Sequence, residues 1–368
     1  MMTNIIKAAV AQLEPVWLNK DASIDKAIEW IQKASKVGVR IIAFPEVFIP
    51  GYPGWIWQGP FTFGQKFIKT YQKNSITRNG PEVRRIAAAA RENNIIVVMG
   101  FSEYDRGSLY MSQATFDETG ALVSVRRKVK PTHVERSIFG DGTGADLQVH
   151  QLSVGRVGAL NCWEHFQPLS KYTLFSMGEQ IHIASWPNMS NHAKLVESFA
   201  PEVTNAANRT YAVEGQVFVL EAHNIISQEG VDYFTYDDMS RETFQVGGGC
   251  SRIWGPNGES LGNTLSGDEE GLLIADLDFD LIEGAKCGAD PVGHYSRPDI
   301  FQLHINRTPA RHVVEYWHGG GQESGLGTTH QLNGIPTRPV INLLSSGEQS
   351  TPEEQAETKG FFKNKVDY

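Results

Sequence analysis

Apolar residues come in short runs separated by polar stretches rich in Gly and Pro, and this rhythm continues over residues 5–276. Runs at 5–12, 39–44, 95–101, 109–116 and 148–152 have strand length and strand composition. Shorter ones at 121–125 and 157–160 fit the same reading. Helical periodicity intervenes at 22–36 and 81–93, the second opening on Pro81, a favourable first helical residue. Further on, strands are expected at 181–185, 217–222, 250–254 and 272–276, with a helix at 201–214 between the first two. Turn words such as Gly255-Pro256-Asn257-Gly258 mark the breaks. So many strands with helices between them predict an α/β protein with two helix-faced sheets; spacing alone leaves the strand order open.

Three of these strands end in chemistry. Residues 40–44 run into Pro45-Glu46, residues 121–125 into Arg126-Arg127-Lys128, and residues 157–160 into Asn161-Cys162-Trp163-Glu164-His165 before a helix-like stretch. Ligands of open α/β sheets bind beyond the carboxyl ends of strands, so a carboxylate, an ammonium and a thiol placed there can share one pocket. A thiol becomes a nucleophile when a base or a cation favours its thiolate. Glu46 offers the base and Lys128 the positive charge. Taken alone, Cys162 reads more readily as a small buried hydrophobe.

The words around these residues change that reading. Phe44-Pro45-Glu46-Val47-Phe48-Ile49-Pro50-Gly51-Tyr52-Pro53, Arg126-Arg127-Lys128-Val129-Lys130-Pro131-Thr132-His133-Val134-Glu135-Arg136 and Asn161-Cys162-Trp163-Glu164-His165 closely resemble the three signature blocks of the nitrilase superfamily. Their order and separations match as well: 82 positions from Glu46 to Lys128, 7 from Lys128 to Glu135, and 34 from Lys128 to Cys162. The likeness extends over residues 5–305, and the Cys-Trp-Glu and Lys-Pro-Thr-His-Val-Glu forms resemble the true nitrilase branch, close to bacterial nitrilases and cyanide hydratases.

The resemblance implies a four-layer α-β-β-α sandwich and a cofactor-free hydrolase that converts an organic nitrile and water to a carboxylic acid and ammonia. It implies Cys162 as the nucleophile, Glu46 as the base, Lys128 as the donor to the nitrile nitrogen and Glu135 as the group holding Lys128. The Trp163 N–H would steady the tetrahedral anion. Tyr52, Phe139, Trp163 and Trp186, inside or beside the matching blocks, are the expected substrate walls. Trp55 and Trp57 fit either a wall or a subunit contact. A cyanide hydratase or dihydratase, or an amidase, would use the same residues, and a non-catalytic filament-forming protein is the reading from another class.

Composition narrows the rest. Three cysteines, Cys162, Cys250 and Cys287, are too few and too scattered for a disulfide framework. A net charge of −9 without a basic face argues against nucleic acid. No apolar stretch is long enough to span a membrane, and the start lacks a signal-peptide pattern, so the expected location is cytoplasmic. The histidines show no His-Glu-x-x-His spacing and no paired Cys-x-x-Cys occurs, so no metal is expected. His165 falls three residues after Cys162, a spacing that invites a Cys–His pair, but the surrounding words of such proteases are missing and it reads as structural. Residues 51–67 and 228–245 look like insertions, which in the resembled family imply subunit contacts: a homo-oligomer, with dimers building spirals or filaments. The hydrolase domain is expected over 1–307, followed by an extended, partly disordered tail over 308–368 with five glycines in 319–327.

Overall fold

The computed structural model describes residues 5–189 and 197–310; most of the expected tail therefore lies outside the described residues. Two six-stranded sheets are built to one plan. The first holds β1 (Ile5–Gln12), β2 (Ile41–Ala43), β3 (Ile96–Asp105), β4 (Ser108–Phe116), β5 (Leu122–Arg127) and the late strand β12 (Gly271–Asp278), in the order β12-β1-β2-β3-β4-β5. The second holds β6 (Val149–Leu152), β7 (Gly155–Asn161), β8 (Ile181–Trp186), β9 (Phe218–His223), β10 (Arg252–Trp254) and β11 (Ser260–Leu261), in the order β11-β10-β9-β8-β7-β6. In each, three parallel strands form the centre and antiparallel strands flank them.

Alternation within the central strands explains the layering. Ala8, Val10, Ile41, Ala43, Ile96 and Val98 face across to Ile181, Ile183, Phe218, Leu220 and Ala222 of the other sheet, and this shared core is fully buried. The opposite parity of the first sheet, Ala9, Ala11, Ile42, Phe44, Val97 and Met99, packs on α1 (Lys20–Lys36) and α3 (Pro81–Glu92) through Ile24, Ala27, Ile31, Val83 and Ile86. On the second sheet, Leu160, Ala184, Trp186 and Val219 meet α4 (Pro168–Ser176) and α5 (Pro201–Gly215). The α-β-β-α sandwich expected from the resemblance is the observed architecture.

Most sequence-predicted elements lie within a few residues of their expected bounds. Two stretches read as insertions are folded. Residues 51–67 contain a 3₁₀ turn, Gly54–Trp57, and open α2 (Phe61–Asn74), while residues 228–245 form α6 (Gln228–Phe234) and α7 (Asp238–Thr243). Their aromatic residues, with Tyr71 further along α2, build a satellite cluster of Trp55, Phe63, Phe67, Tyr71 and Phe234. A last helix, α8 (Asp280–Lys286), follows β12. The helix-like stretch after Cys162 is in two parts, a 3₁₀ turn Cys162–Phe166 and then α4, whose Pro168 at the first position starts a new helix.

Candidate active site

Each expected catalytic side chain leaves a strand end on a turn with its own anchor. Beyond β2, Glu46 donates its N–H to the Trp186 carbonyl at the end of β8, and its own carbonyl accepts from Asn224 Nδ2. Gly100 makes room for this turn, because a Cβ there would stand 2.1 Å from the Pro45 carbonyl oxygen. Lys128, just past β5, donates its N–H to Met111 at 2.7 Å. Glu135 lies in the 3₁₀ turn His133–Ser137, where its Oε2 accepts from the Thr132 N–H at 2.6 Å in a capping box. Cys162 follows β7 with a left-handed backbone, φ 49°; Val47 (φ 47°) and His133 (φ 44°) beside the other acids share that conformation. Non-glycine residues held there cost energy and gather at working sites.

These four residues converge. Lys128 Nζ donates to Glu46 Oε1 at 2.9 Å and to Glu135 Oε2 at 2.8 Å, with all three side chains fully buried. A carboxylate oxygen of Glu46, one of Glu135 and the Cys162 Sγ all lie within 4.8 Å of one another. Tyr52 OH donates to Glu135 Oε1 at 2.8 Å and accepts from Trp57 Nε1 at 2.8 Å. Glu46 Oε2 alone among these carboxylate oxygens has no partner among the described residues.

Burial pushes Glu46 up to about 8 against the pull of Lys128, and Glu135 adds to the rise. Burial also works to lower Lys128, but Glu135 and Glu46 outweigh it and keep the ammonium well above its ordinary range. For Cys162 burial raises the thiol well above its usual value, with Lys128 and the Trp163 N–H pulling the other way. The resting group is therefore a neutral thiol beside a cation and a base. Lys128, in contact with both carboxylates, already supplies the positive charge that balances the group Glu46, Glu135 and Cys162. A second buried group, Glu221, His223 and Cys250, also brings its polar atoms within 4.8 Å of one another, with His223 Nε2 already 2.9 Å from Glu221 Oε1. Cys250 Sγ lies 3.5 and 3.4 Å from the two ring nitrogens of His223, which sets it over the ring face and not along a lone pair.

The thiol opens onto a small, narrow pocket lined by Tyr52, Trp57, Trp163, Met189, Phe199 and Phe244. Two expected walls are elsewhere. Phe139 packs on Tyr71, ring centres 6.1 Å apart, and borders a larger groove beside α2 whose lining includes no thiol or carboxylate. Trp186 shares the outer parity of β8 with His182 and Ala184 and is stacked between the rings of His165 and His223. Phe199, Met189 and Phe244 come from segments outside the motif blocks. Their apolar character was visible in sequence, their convergence was not. His165 turns Nδ1 to the Cys162 carbonyl at 2.6 Å and does not pair with the thiol.

A two-sheet sandwich with carboxylate, ammonium and thiol at its strand ends defines a class, and residues 7–286 match the family model for carbon-nitrogen hydrolases. This chain belongs to the carbon-nitrogen hydrolase family. It is 46% identical over 354 residues to an aliphatic nitrilase of Rhodococcus rhodochrous, covering 94% of this chain and 97% of that one. A nitrilase of Pseudomonas syringae pv. syringae is 44% identical over 85% of this chain and 94% of its own length. An arylacetonitrilase of Aspergillus kawachii is 45% identical over 85% and 96%. Among solved structures, a Saccharomyces cerevisiae member of branch 10 of the nitrilase superfamily superposes with a TM-score of 0.61 at 20% identity, over 81% of this chain and 97% of that one. An amidase from Nesterenkonia sp. gives 0.56 at 20% identity, over 77% and 94%. These two structures share the fold.

Proposed function

We propose that this protein is a nitrilase, hydrolysing an organic nitrile to the carboxylic acid and ammonia through covalent intermediates on Cys162. One observation carries the reading: the Lys128 ammonium bridges Glu46 and Glu135 with the Cys162 sulfur within reach of both carboxyls, at the floor of an aromatic pocket. Relatives named as nitrilases at 44–46% identity over most of the chain support it.

The chemistry follows from the proton positions. Sulfur attacks the nitrile carbon as the thiol proton passes to the partnerless Oε2 of Glu46 and on to nitrogen, giving a thioimidate. Lys128 donates to the nitrogen as charge develops there, and the Trp163 N–H steadies the tetrahedral anion. Glu46 then activates a water that adds to the carbon; the C–N bond breaks, ammonia leaves and a thioester remains. A second water releases the carboxylic acid and restores the thiol. A base near pKa 8 is well matched to taking and returning a proton near neutrality. Glu135 fixes Lys128 and Tyr52. Trapping is the direct test: mass spectrometry of protein mixed with aliphatic, aromatic and arylacetonitrile compounds should find a transient adduct on the Cys162 peptide. Ammonia release with the adduct elsewhere, or undiminished in Cys162→Ala, overturns the mechanism.

The finer readings are proposals of the same kind. Residues 1–307 are taken as the hydrolase domain, with 308–368 as a tail. A cytoplasmic location accords with the absence, among the described residues, of any helix long and apolar enough to cross a membrane. Assembly into homo-oligomers, with dimers extending into spirals or filaments, is supported by exposed Phe61 (78%), Tyr233 and Met239 (72%) on α2, α6 and α7, and by Tyr236 in the turn between α6 and α7. Sedimentation of Phe61→Asp/Met239→Asp should show smaller particles; unchanged particle size sinks this surface as the contact.

A further inference from the structure

Behind Cys162, on the side away from the pocket, a line of buried polar side chains runs through the second sheet. His165 Nδ1 meets the Cys162 carbonyl oxygen at 2.6 Å, and His165 Nε2 meets His182 Nε2 at 2.9 Å. His182 Nδ1 meets Glu179 Oε1 at 2.7 Å, and Glu179 Oε2 accepts from Tyr211 OH at 2.6 Å. His165, His182 and Glu179 are buried, and the rings are held on their faces, His182 by Tyr211 at 3.9 Å and His165 by Trp186 at 5.1 Å.

Proton counting constrains this line. A carbonyl oxygen only accepts, so His165 Nδ1 carries hydrogen; the nitrogen–nitrogen contact needs a second proton and the His182–Glu179 contact a third. Two neutral imidazoles supply two. The third resides on Glu179 as a carboxylic acid or on a ring as imidazolium. Burial pushes Glu179 up to about 8, against the Tyr211 hydroxyl, and pushes both histidines well below their usual value. The third proton is thus best placed on Glu179. The other charged groups acting on the line are Arg126 and Glu164, which are paired with each other.

The gripped carbonyl belongs to the Cys162–Trp163 peptide, whose N–H interacts with the Cys162 thiol. A donor on the carbonyl fixes the plane of that peptide and polarises its N–H. We propose that His165, His182 and Glu179 are positioning residues, a three-proton line that clamps the Cys162–Trp163 peptide from behind and so aims both the nucleophile and the anion-stabilising N–H. The proposal rests on Cys162 being the nucleophile.

Glu179→Gln and Glu179→Leu test it. A Gln amide N–H can donate to His182 Nδ1 while its carbonyl accepts from Tyr211, so every contact survives and the third proton no longer titrates. Leu removes it. Folded Glu179→Leu, checked by its melting curve, should lose about 10- to 100-fold in kcat with KM little changed, the scale of a small misplacement of reacting groups. Its Cys162 should also alkylate more slowly with iodoacetamide, read by peptide mass spectrometry against exposed Cys287 as the internal reference. Glu179→Gln should keep kcat within about threefold at pH 7 and hold its activity to higher pH than the parent protein. A folded Glu179→Leu with parental kcat and alkylation overturns the proposal, as does Glu179→Gln failing as badly as Leu. If the Leu variant does not fold, a Gln variant whose high-pH limb superimposes on the parent's overturns it. Should Cys162→Ala still release ammonia, the nucleophile reading fails by itself, and the alkylation rates still report on the clamp.

Discussion

Two buried ion pairs stand two residues apart on one strand end, and they are finished to different degrees. Arg126 donates to both carboxylate oxygens of Glu164, to Gln113 Oε1 and to the Asp146 and Arg127 carbonyls, while Glu164 also accepts the N–H groups of Asn161 and Val129. The hydrogen-bonding capacity of Glu164 is well filled, and although burial opposes it, Arg126 and the two amides hold its pKa below the ordinary range. Lys128 and Glu46 form the other pair; there Glu46 keeps one oxygen without a partner and burial carries it up to about 8. A saturated pair ties the ends of β5 and β7 together. An unsaturated one beside a thiol is poised to take a proton, and strong desolvation with an open valence is the signature of such a group.

The largest break falls on the poised side. Cys162→Ala should lower turnover by a factor on the order of 10⁶, the scale at which a covalent nucleophile and its base act as a unit. Assayed as ammonia release, residual activity anywhere near the parent level would remove the distinction between the two pairs.

On the saturated side the effect should reverse, with stability lost first. Glu164→Gln leaves a buried guanidinium without its carboxylate, and one-sided removal of such a partner costs about 3–5 kcal/mol. Denaturant unfolding measures it. A loss under 1 kcal/mol, about what an exposed pair is worth, would mean Arg126 finds compensation and the pair is not the tie described.

Next in size is a pH effect that separates the two carboxylates. Glu46 is raised from an unfolded value of 4.5 to about 8, so between those values the folded state binds the extra proton. Its contribution to stability is present below 4.5 and is lost as pH rises to about 8. Activity should run the opposite way, since the base works ionised: kcat/KM falls as pH drops through about 8. Glu46→Gln should abolish most activity yet melt at a temperature that rises relative to the parent between pH 5 and 8. Glu179 is raised to a similar value and titrates in both proteins, so the slope is reduced and not erased. Parallel melting curves for the two proteins across that window would show Glu46 to be as settled as Glu164.

The poised pair was legible in sequence and much of its surroundings was not, for reasons that are themselves physical. Glu46, Lys128 and Cys162 follow apolar runs whose period and length mark strands, and the ends of parallel strands point to one edge. Glu135 entered through the motif resemblance. Phe139 and Trp186 went astray because standing beside a motif does not say which way a ring faces. For Trp186 a signal existed: it shares strand parity with His182 and Ala184, the face that packs on helix α5. The clamp behind Cys162 was hidden because Glu179, His182 and His165 are joined across 17 positions by a helix and a strand register. Helix α2 was masked by its density of aromatic residues and by Gly64, which lower helical propensity and read as an insertion.

The smallest predicted effect probes how far the poised region extends. Trp57 Nε1 donates to Tyr52 OH, which donates in turn to Glu135, so an indole on the pocket wall connects to the carboxylate that holds Lys128. Trp57→Phe keeps an aromatic wall and deletes that donor, a neutral hydrogen bond worth about 1 kcal/mol. If the connection acts through Glu135 and Lys128, kcat should fall several-fold and the pH profile should shift with it. If Trp57 serves only as a wall, KM alone should change, and the poised region would end at Tyr52. Measuring kcat and KM separately decides which boundary holds, because a loss confined to packing against the substrate acts through binding and leaves the placement of Lys128 untouched.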